Sequence, residues 1–450
     1  MTAGQFPQAF IKREQAHLGS EWDEFAEAHH RMPPVSIRYN PDKALAMEGA
    51  PIPWTSHGRY LEQRPTFTLD PSFHGGKYYV QEASSMFLEQ AYRQHVPTHE
   101  SLIVLDLCSA PGGKSTHLLS MMNHQSLMVS NEVIQTRASI VSENIKKWGH
   151  CNVVVTNNDP KDFQRLEGLF DVIVVDAPCS GEGLFRKDQA ALKEWSEEAV
   201  DLCSQRQRRI LSDVWPALKP GGILIYSTCT YSTNENEDNL RWLEKERGLE
   251  FLSVKCDPGW GIQEVQTGSA IGYRCFPHRV KGEGFFLSAV RKTDSDHKKE
   301  FHVKAKFQYP PKKISSVLQD WLLAADQKFF IVHSDRVQFF PAGKASEIQL
   351  LVNNLRVVFA GTSMVTIKHD KLVPDHALAL SIDLNRNFFY SMKLDENTAL
   401  QYLRKETIPS SSGNKGFALV TFENICIGWV NILDNRINNL YPSEWRIRMR

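Results

Sequence analysis

From about residue 75 to residue 292 the chain alternates short apolar runs with longer stretches of helical period. Leu102 to Leu107, Leu127 to Val129, Val153 to Val155, Phe170 to Val175 and Ile223 to Tyr226 are the runs. Near-continuous apolar runs are buried on both faces, as parallel strands covered by helices are. The segments between them predict helices from near Lys114, over Thr136 to Trp148, and from about Ser196 to Leu218. Lys219-Pro220-Gly221-Gly222 is the expected stop of the last one. Phe285 to Val290 predicts a late strand, antiparallel to its neighbours. The fold class is therefore α/β, with a mostly parallel, doubly wound sheet.

The flanks read differently. Residues 5–31 look helical, with Phe6, Phe10, Phe25 and Ala26 among polar partners, and Pro33-Pro34 ends the segment. Val35 to Tyr39 predicts a strand and Asn40-Pro41-Asp42 a turn. After residue 292 the chain is Lys-rich up to Pro310-Pro311. Beyond that, Val337 to Phe340, Val357 to Phe359, Gly416 to Val420 and Ile425 to Val430 are short β-like runs. This divides the chain into an N-terminal appendage (1–75), a core (76–292), a basic linker (293–313), an intermediate α+β region (314–385) and a C-terminal unit (386–450).

A length of 450 residues fits two or three domains, and 42% apolar with 23% charged residues is globular composition. The formal net charge is zero, so nucleic-acid binding has to come from local patches. One candidate patch is the tail, where Arg436, Arg446, Arg448 and Arg450 interleave with Trp429, Tyr441 and Trp445. A solvated surface and an RNA contact both fit that pattern. Residues 1–20 lack the core of a signal peptide, and no apolar run reaches membrane-spanning length. The eight cysteines are scattered without a CxxC pair, which suits a reducing, cytoplasmic setting. No metal site is expected. Pro97 disfavours the helix that would pair His95 with His99, and the adjacent His29 and His30 cannot easily share one ion. Nothing in the sequence demands more than a monomer.

The segment Asp106-Leu107-Cys108-Ser109-Ala110-Pro111-Gly112-Gly113-Lys114-Ser115 reads as strand end, tight loop and helix start. Small residues let a ligand approach the backbone, and the helix start offers free N–H groups. A P-loop fails here because Cys108 stands where its first glycine belongs, and GxGxxG is absent. S-adenosylmethionine remains, and the acidic residues favour it. Glu132 follows the second run, where a carboxylate can accept from both ribose hydroxyls. Asp159 follows the third, within reach of an adenine amino group, and Asp176 follows the fourth, near a methionyl ammonium. Singly, each is more simply a helix cap or a surface charge. Three in register suit a cationic sulfonium nucleoside and would repel a triphosphate.

Two thiols sit just past strand ends: Cys179 in Asp176-Ala177-Pro178-Cys179-Ser180-Gly181, and Cys229 in Ser227-Thr228-Cys229-Thr230. A thiolate adding to carbon 6 of cytosine makes carbon 5 nucleophilic enough to attack a sulfonium methyl. Such a thiol needs a nearby cation or helix N-terminus, and Lys114 is the candidate cation. The other cysteines read as small buried hydrophobes, with Cys108 packed in the loop.

The motifs Cys108 to Lys114, Asp176 to Gly181 and Thr228-Cys229-Thr230 together resemble those of the NOL/NOP/Sun RNA (cytosine-5) methyltransferases. Tyr79 to Ser85, and Arg186-Lys187-Asp188 with Trp195, resemble further segments of that family, and the likeness spans about residues 33–292. It implies a Rossmann-like class I methyltransferase core. It also implies that Cys229 is the nucleophile and that Cys179 assists product release. Cofactor contacts carry over to Cys108, Ser109, Ala110, Pro111, Gly112, Gly113, Lys114, Glu132, Asp159 and Asp176, with Lys114 and Asp176 also near the cytosine. Gly428-Trp429 and Arg436 to Asn439 resemble the PUA-like tail of the bacterial RsmF-type branch. That branch implies small-subunit ribosomal RNA as substrate and partner, held by the N-terminal appendage and the tail.

Overall fold

The computed structural model describes residues 6–294, 301–369, 371–409 and 414–449. Residues 295–300 of the expected linker and Arg450 of the tail lie outside the described residues.

The chain begins with two helices, α1 (Gln8–Leu18) and α2 (Trp22–Ala28). Their aromatic faces, Phe6, Phe10, Trp22 and Phe25, pack with Phe185, Trp195, Tyr231 and Phe276 of the core. An antiparallel sheet follows, in the order Ala50–Pro51, Gly58–Leu61, Val35–Tyr39, Tyr78–Val80. Its fourth strand lies beyond residue 75, the expected end of the appendage.

The core is a ten-stranded sheet. Its parallel part consists of β1 (Ile103–Asp106), β2 (Leu127–Asn131), β3 (Val153–Thr156), β4 (Phe170–Asp176) and β5 (Leu218–Thr228), in the spatial order β5-β4-β1-β2-β3. Side chains alternate between two covered faces, which is why the runs carry no polar alternation. Val104, Met128 and Val174 meet Leu118 and Ile145 on one side. Leu105, Val129 and Ile173 meet Phe163, Ile210 and Leu211 on the other. Each such side chain contributes about 1.5–3 kcal/mol. The late strand β6 (Phe285–Lys292) pairs antiparallel with β5, as expected.

Three helices matter for the site: α3 (Gly113–Leu119), α4 (Gln135–Trp148) and α5 (Glu197–Val214). Ser196 caps α5 by accepting from Ala199 N, and Glu197 and Glu198 favour its positive end. The helix ends at Val214, four residues before the expected end at Leu218. Pro216 has no N–H to continue it, and Trp215–Ala217 tightens into a 3₁₀ turn. Lys219 to Gly222 belong to β5 instead.

Two further expectations need correction. Val357 to Phe359 is a strand, but of the core sheet: Val357–Ala360 pairs antiparallel with β3 and covers its edge. Helix Ala345–Asn354 presses Ile348 and Leu351 into the same core. In the C-terminal unit, whose sheet is Tyr390–Lys393, Gly416–Phe422, Ile425–Ile432 and Ile437–Asn439, Trp429 and Tyr441 are fully buried. The Trp429 indole donates to Asp375 O at 2.9 Å, and Tyr441 packs on Tyr402 and His376. These rings build the core of the unit and cannot stack on RNA, whereas Arg436, Arg446 and Arg448 are exposed. Among the described residues no helix is long and apolar enough to cross a membrane, and no cluster of three or more His, Cys, Asp or Glu is arranged to hold a metal ion.

Candidate active site

The chain runs from β1 outward to β2 and β3, then returns to lay β4 on the other side of β1. The strand order reverses there, and the two connections leave in opposite directions. A crevice opens beyond the strands' carboxyl ends at such a point. It holds a cavity of about 470 Å³ lined by, among others, Cys108, Ala110, Glu132, Asp176, Cys179 and Cys229.

The glycine loop leads into α3. Gly112 has φ 109°, which a residue with a Cβ rarely adopts, and this turns the chain into the helix. Ser115 Oγ donates to Asp106 Oδ2 at 2.7 Å, while the other Asp106 oxygen is buried without a partner. Burial pushes the Asp106 carboxyl up to about 7. Glu132, at the end of β2, is buried and accepts from Ile134 N at 3.0 Å. Arg137 stands 3.4 Å from its other oxygen. Val133 and Ile134 beside it are 56% and 49% exposed, an apolar wall suited to an aromatic base.

Lys114 lies under the cavity, with Nζ 2.7 Å from Asp176 Oδ2 and 5.3 Å from the Phe285 ring centre. Burial opposes its charge, but Asp176 outweighs burial and raises its pKa. Ser227 Oγ holds the second Asp176 oxygen at 2.8 Å.

β4 and β5 are neighbours, so their two exit loops run side by side. The sulfurs of Cys179 and Cys229 stand 3.0 Å apart, and Cys229 N approaches the Cys179 sulfur at 3.4 Å. Gly183 N donates to Cys229 O at 2.8 Å, and a Cβ on Gly183 would meet that oxygen at 2.9 Å. The hydrogen bond with Cys229, and then enclosure, push the Cys179 thiol well above its ordinary range. Cys108 is also pushed well up, by burial and then by Asp106, so this third thiol stays neutral.

The remaining predicted residues lie differently. Ser109 Oγ turns away to Asn131 O at 2.8 Å. Pro111, Gly112 and Gly113 shape the loop and do not line the cavity. Asp159 is also absent from the lining. Its carboxylate caps the following 3₁₀ turn through Lys161 N at 3.2 Å and pairs with Arg209 at 3.4 Å, and Pro160 faces the cavity instead. Sequence reasoning missed Arg206 and Arg209, exposed cations of α5 at the rim, though the helical period of α5 would have placed them together. It also missed Glu182. This fully buried carboxylate accepts from Arg13 of α1 at 2.7 Å, the Trp195 indole at 2.7 Å and Tyr231 N at 3.1 Å. It ties α1 to both thiol loops.

Known proteins match this sequence over nearly its whole length. Ribosomal RNA small subunit methyltransferase F of Citrobacter koseri is 31% identical over 98% of this chain and 96% of its own. The chain belongs to the small-subunit ribosomal RNA methyltransferase F family. The methyltransferase F of Shewanella loihica is 30% identical, covering 88% of this chain and 83% of that protein. Family models match in three stretches: the N-terminal domain of 16S rRNA methyltransferase RsmF at 6–83, 16S rRNA methyltransferase RsmB/F at 94–291, and the methyltransferase RsmF PUA domain at 389–447. The core thus has the Rossmann-like methyltransferase fold, and the C-terminal sheet is the PUA domain of the methyltransferase F family. A crystal structure of a methyltransferase homolog from Pyrococcus horikoshii superposes with a TM-score of 0.55. It is 25% identical, covering 65% of this chain and 100% of that one.

Proposed function

We propose that the chain transfers a methyl group from S-adenosylmethionine to carbon 5 of a cytosine in small-subunit ribosomal RNA, through a covalent bond between Cys229 and carbon 6. The observation that carries this reading is the pair of sulfurs 3.0 Å apart in the cavity that Glu132 and Asp176 also line.

The residues fit S-adenosylmethionine. Glu132 suits the ribose hydroxyls, the wall of Val133 and Ile134 suits the adenine, and Asp176 offers a carboxylate to a cation. Bound there, the cofactor supplies an electrophilic methyl. Cys229 adds to carbon 6 and turns carbon 5 into a nucleophile. Lys114, fixed by Asp176, places a positive charge near the attacking sulfur and the ring. Once carbon 5 carries the methyl, its proton is lost to a base and the sulfur–carbon 6 bond breaks. Cys179, held as a thiol, donates a hydrogen bond to the departing sulfur and eases its release. The target base has to leave its stack, since carbon 6 is attacked from above the ring. Arg206 and Arg209 stand where the backbone phosphates of an everted nucleotide would pass. The appendage (1–75) and the C-terminal unit (386–450) hold the surrounding RNA by shape and phosphate contacts.

The test pairs two variants on an unmodified 16S rRNA transcript. Cys229→Ala abolishes methyl transfer, by about 10³-fold or more. Cys179→Ser accumulates a protein–RNA adduct that survives denaturant. Normal turnover by Cys229→Ala would falsify the assignment, and an adduct seen only when Cys229 is absent reverses the two roles.

A further inference from the structure

Glu235 lies behind the two thiol loops and lines no cavity described above. It is fully buried, as is Asn236 beside it. One carboxylate oxygen, Oε2, accepts from Ser180 N at 3.0 Å and Gln207 Nε2 at 2.8 Å. The other, Oε1, accepts from Ser180 Oγ at 2.5 Å. Ser180 has one hydroxyl hydrogen and spends it on Glu235, so Thr230 is the donor in the 2.9 Å contact between the two hydroxyls. Gln207 also donates to Pro178 O at 3.0 Å. Gln207 is fixed in turn, because its Oε1 accepts from Asn239 at 2.7 Å, and the Tyr226 hydroxyl donates to Glu235 O at 2.7 Å.

These bonds fall on the residues flanking the sulfurs. Pro178 and Ser180 bracket Cys179, and Thr230 follows Cys229. The strand ladder ends at Asp176 and Thr228, and beyond it the bonds from Ala177 N to Ser227 O and from Gly183 N to Cys229 O leave Pro178, Ser180 and Thr230 to be placed by side chains. A buried carboxylate accepting three donors is a strong and directional tie. A side chain without an acceptor there would leave the donors of Ser180 and Gln207 unpaired inside the protein.

We propose that Glu235 is a positioning residue of the reaction: through Ser180, Gln207 and Thr230 it sets the placement of the Cys179 and Cys229 sulfurs relative to each other. The proposal rests on the paired-thiol reading of the site and adds the group that enforces the pairing. Glu235 makes no hydrogen bond to either sulfur and places both through the chain, while its charge helps to hold Cys179 as a thiol.

The experiment uses the full chain with Glu235→Ala, Glu235→Gln and Cys179→Ser. Phenylarsine oxide, which bridges two close thiols with loss of water, reports the sulfur pair without RNA. The wild type takes up one arsenical that Cys179→Ser does not. Glu235→Ala binds it at least about tenfold more weakly and lowers kcat for a 16S rRNA transcript by about 30–100-fold, the scale of a misplacement near 1 Å. Its KM for RNA and its S-adenosylmethionine affinity stay within about threefold of wild type. Glu235→Gln restores most of both, because its amide oxygen can accept from Ser180 N and Gln207 while its NH₂ donates to Ser180 Oγ. Wild-type kcat in Glu235→Ala, or equal losses of kcat and cofactor affinity, would overturn the proposal. If Glu235→Ala does not fold, Ser180→Ala carries the test: a kcat about 5–10-fold lower supports the proposal, and an unchanged kcat overturns it. Failure of the wild type itself to methylate would count against the paired-thiol function, and the arsenical measurement would still decide the role of Glu235.

Discussion

The two ends of the cavity are built differently. At the thiol end each loop is bound to a buried carboxylate with all its bonds made. Glu182 holds Tyr231 N, Trp195 and Arg13, and Glu235 holds Ser180 and Gln207. At the cofactor end, buried Asp106 has a single hydroxyl partner and an oxygen with none. Beside it, Val133 and Ile134 stay exposed as apolar surface. The contrast follows from the chemistry proposed for each end. Two sulfurs that must act on one sulfur–carbon bond need their geometry before the ring arrives. A nucleoside pocket gains its stability when the ligand covers the apolar wall.

The most forceful way to break this contrast is Glu182→Ala. It removes the acceptor shared by α1 and the segments around both thiols, and leaves Arg13 without its long-range partner. Methyl transfer falls by about 100-fold, while S-adenosylmethionine titration gives an affinity close to wild type. An equal loss of cofactor affinity would mean that the two ends are not separate. The converse change is Ile134→Asp, which puts a charge in the apolar wall. Cofactor affinity drops by about tenfold, roughly the worth of one apolar contact surface. Arsenical bridging of the thiols stays at its wild-type level, and a loss there would contradict the separation.

Asp106 sharpens the comparison through pH. Its pKa is raised by burial to about 7, whereas a free aspartate titrates near 3.8. Between those values the folded chain holds a proton that the unfolded chain has lost. Stability attributable to this group is therefore full below pH ~4, declines as pH rises, and levels off above about 7. The slope is at most about 1.4 kcal/mol per pH unit. Asp106→Asn should gain on the wild type from pH 4 to 7 in urea unfolding. Parallel stability curves for the two proteins would show that the buried carboxyl does not titrate there.

Local pattern made the core legible in the sequence. Two-sided burial leaves apolar runs such as Val153 to Val155, and the loop and thiol motifs sit at their ends. Pairing at long range leaves no such trace. Nothing in Val357 to Phe359 distinguishes an edge strand of the core from a strand of a separate sheet, since only contact with β3 decides it. Trp429 and Tyr441 among arginines resemble an RNA surface until burial is known. Glu182 and Glu235 read as ordinary loop charges, because a carboxylate's burial depends on donors distant in sequence, such as Arg13 and Gln207. Pro216 marks the helix stop in the sequence, but the turn signal three residues on is the stronger one.

Asp159 gives the smallest expected effect and the finest test of the cofactor end. Its position after β3 suits a carboxylate that accepts from an adenine amino group. In the fold that carboxylate is already engaged, by Lys161 N and by Arg209 on α5, and Pro160 takes its place in the wall. Removing it costs a cap on a short 3₁₀ turn and an exposed ion pair, each worth about 1 kcal/mol or less. Asp159→Ala therefore changes S-adenosylmethionine affinity by less than about threefold, against about tenfold for Ile134→Asp. It frees Arg209 from its ion pair with Asp159, so RNA affinity holds or rises slightly at low salt. A tenfold loss of cofactor affinity, absent when 5′-methylthio analogues without the adenine amino group are titrated instead, would show that the side chain swings inward when ligand binds. The cofactor end would then owe its specificity to a carboxylate recruited on binding, in direct opposition to the preset thiol end.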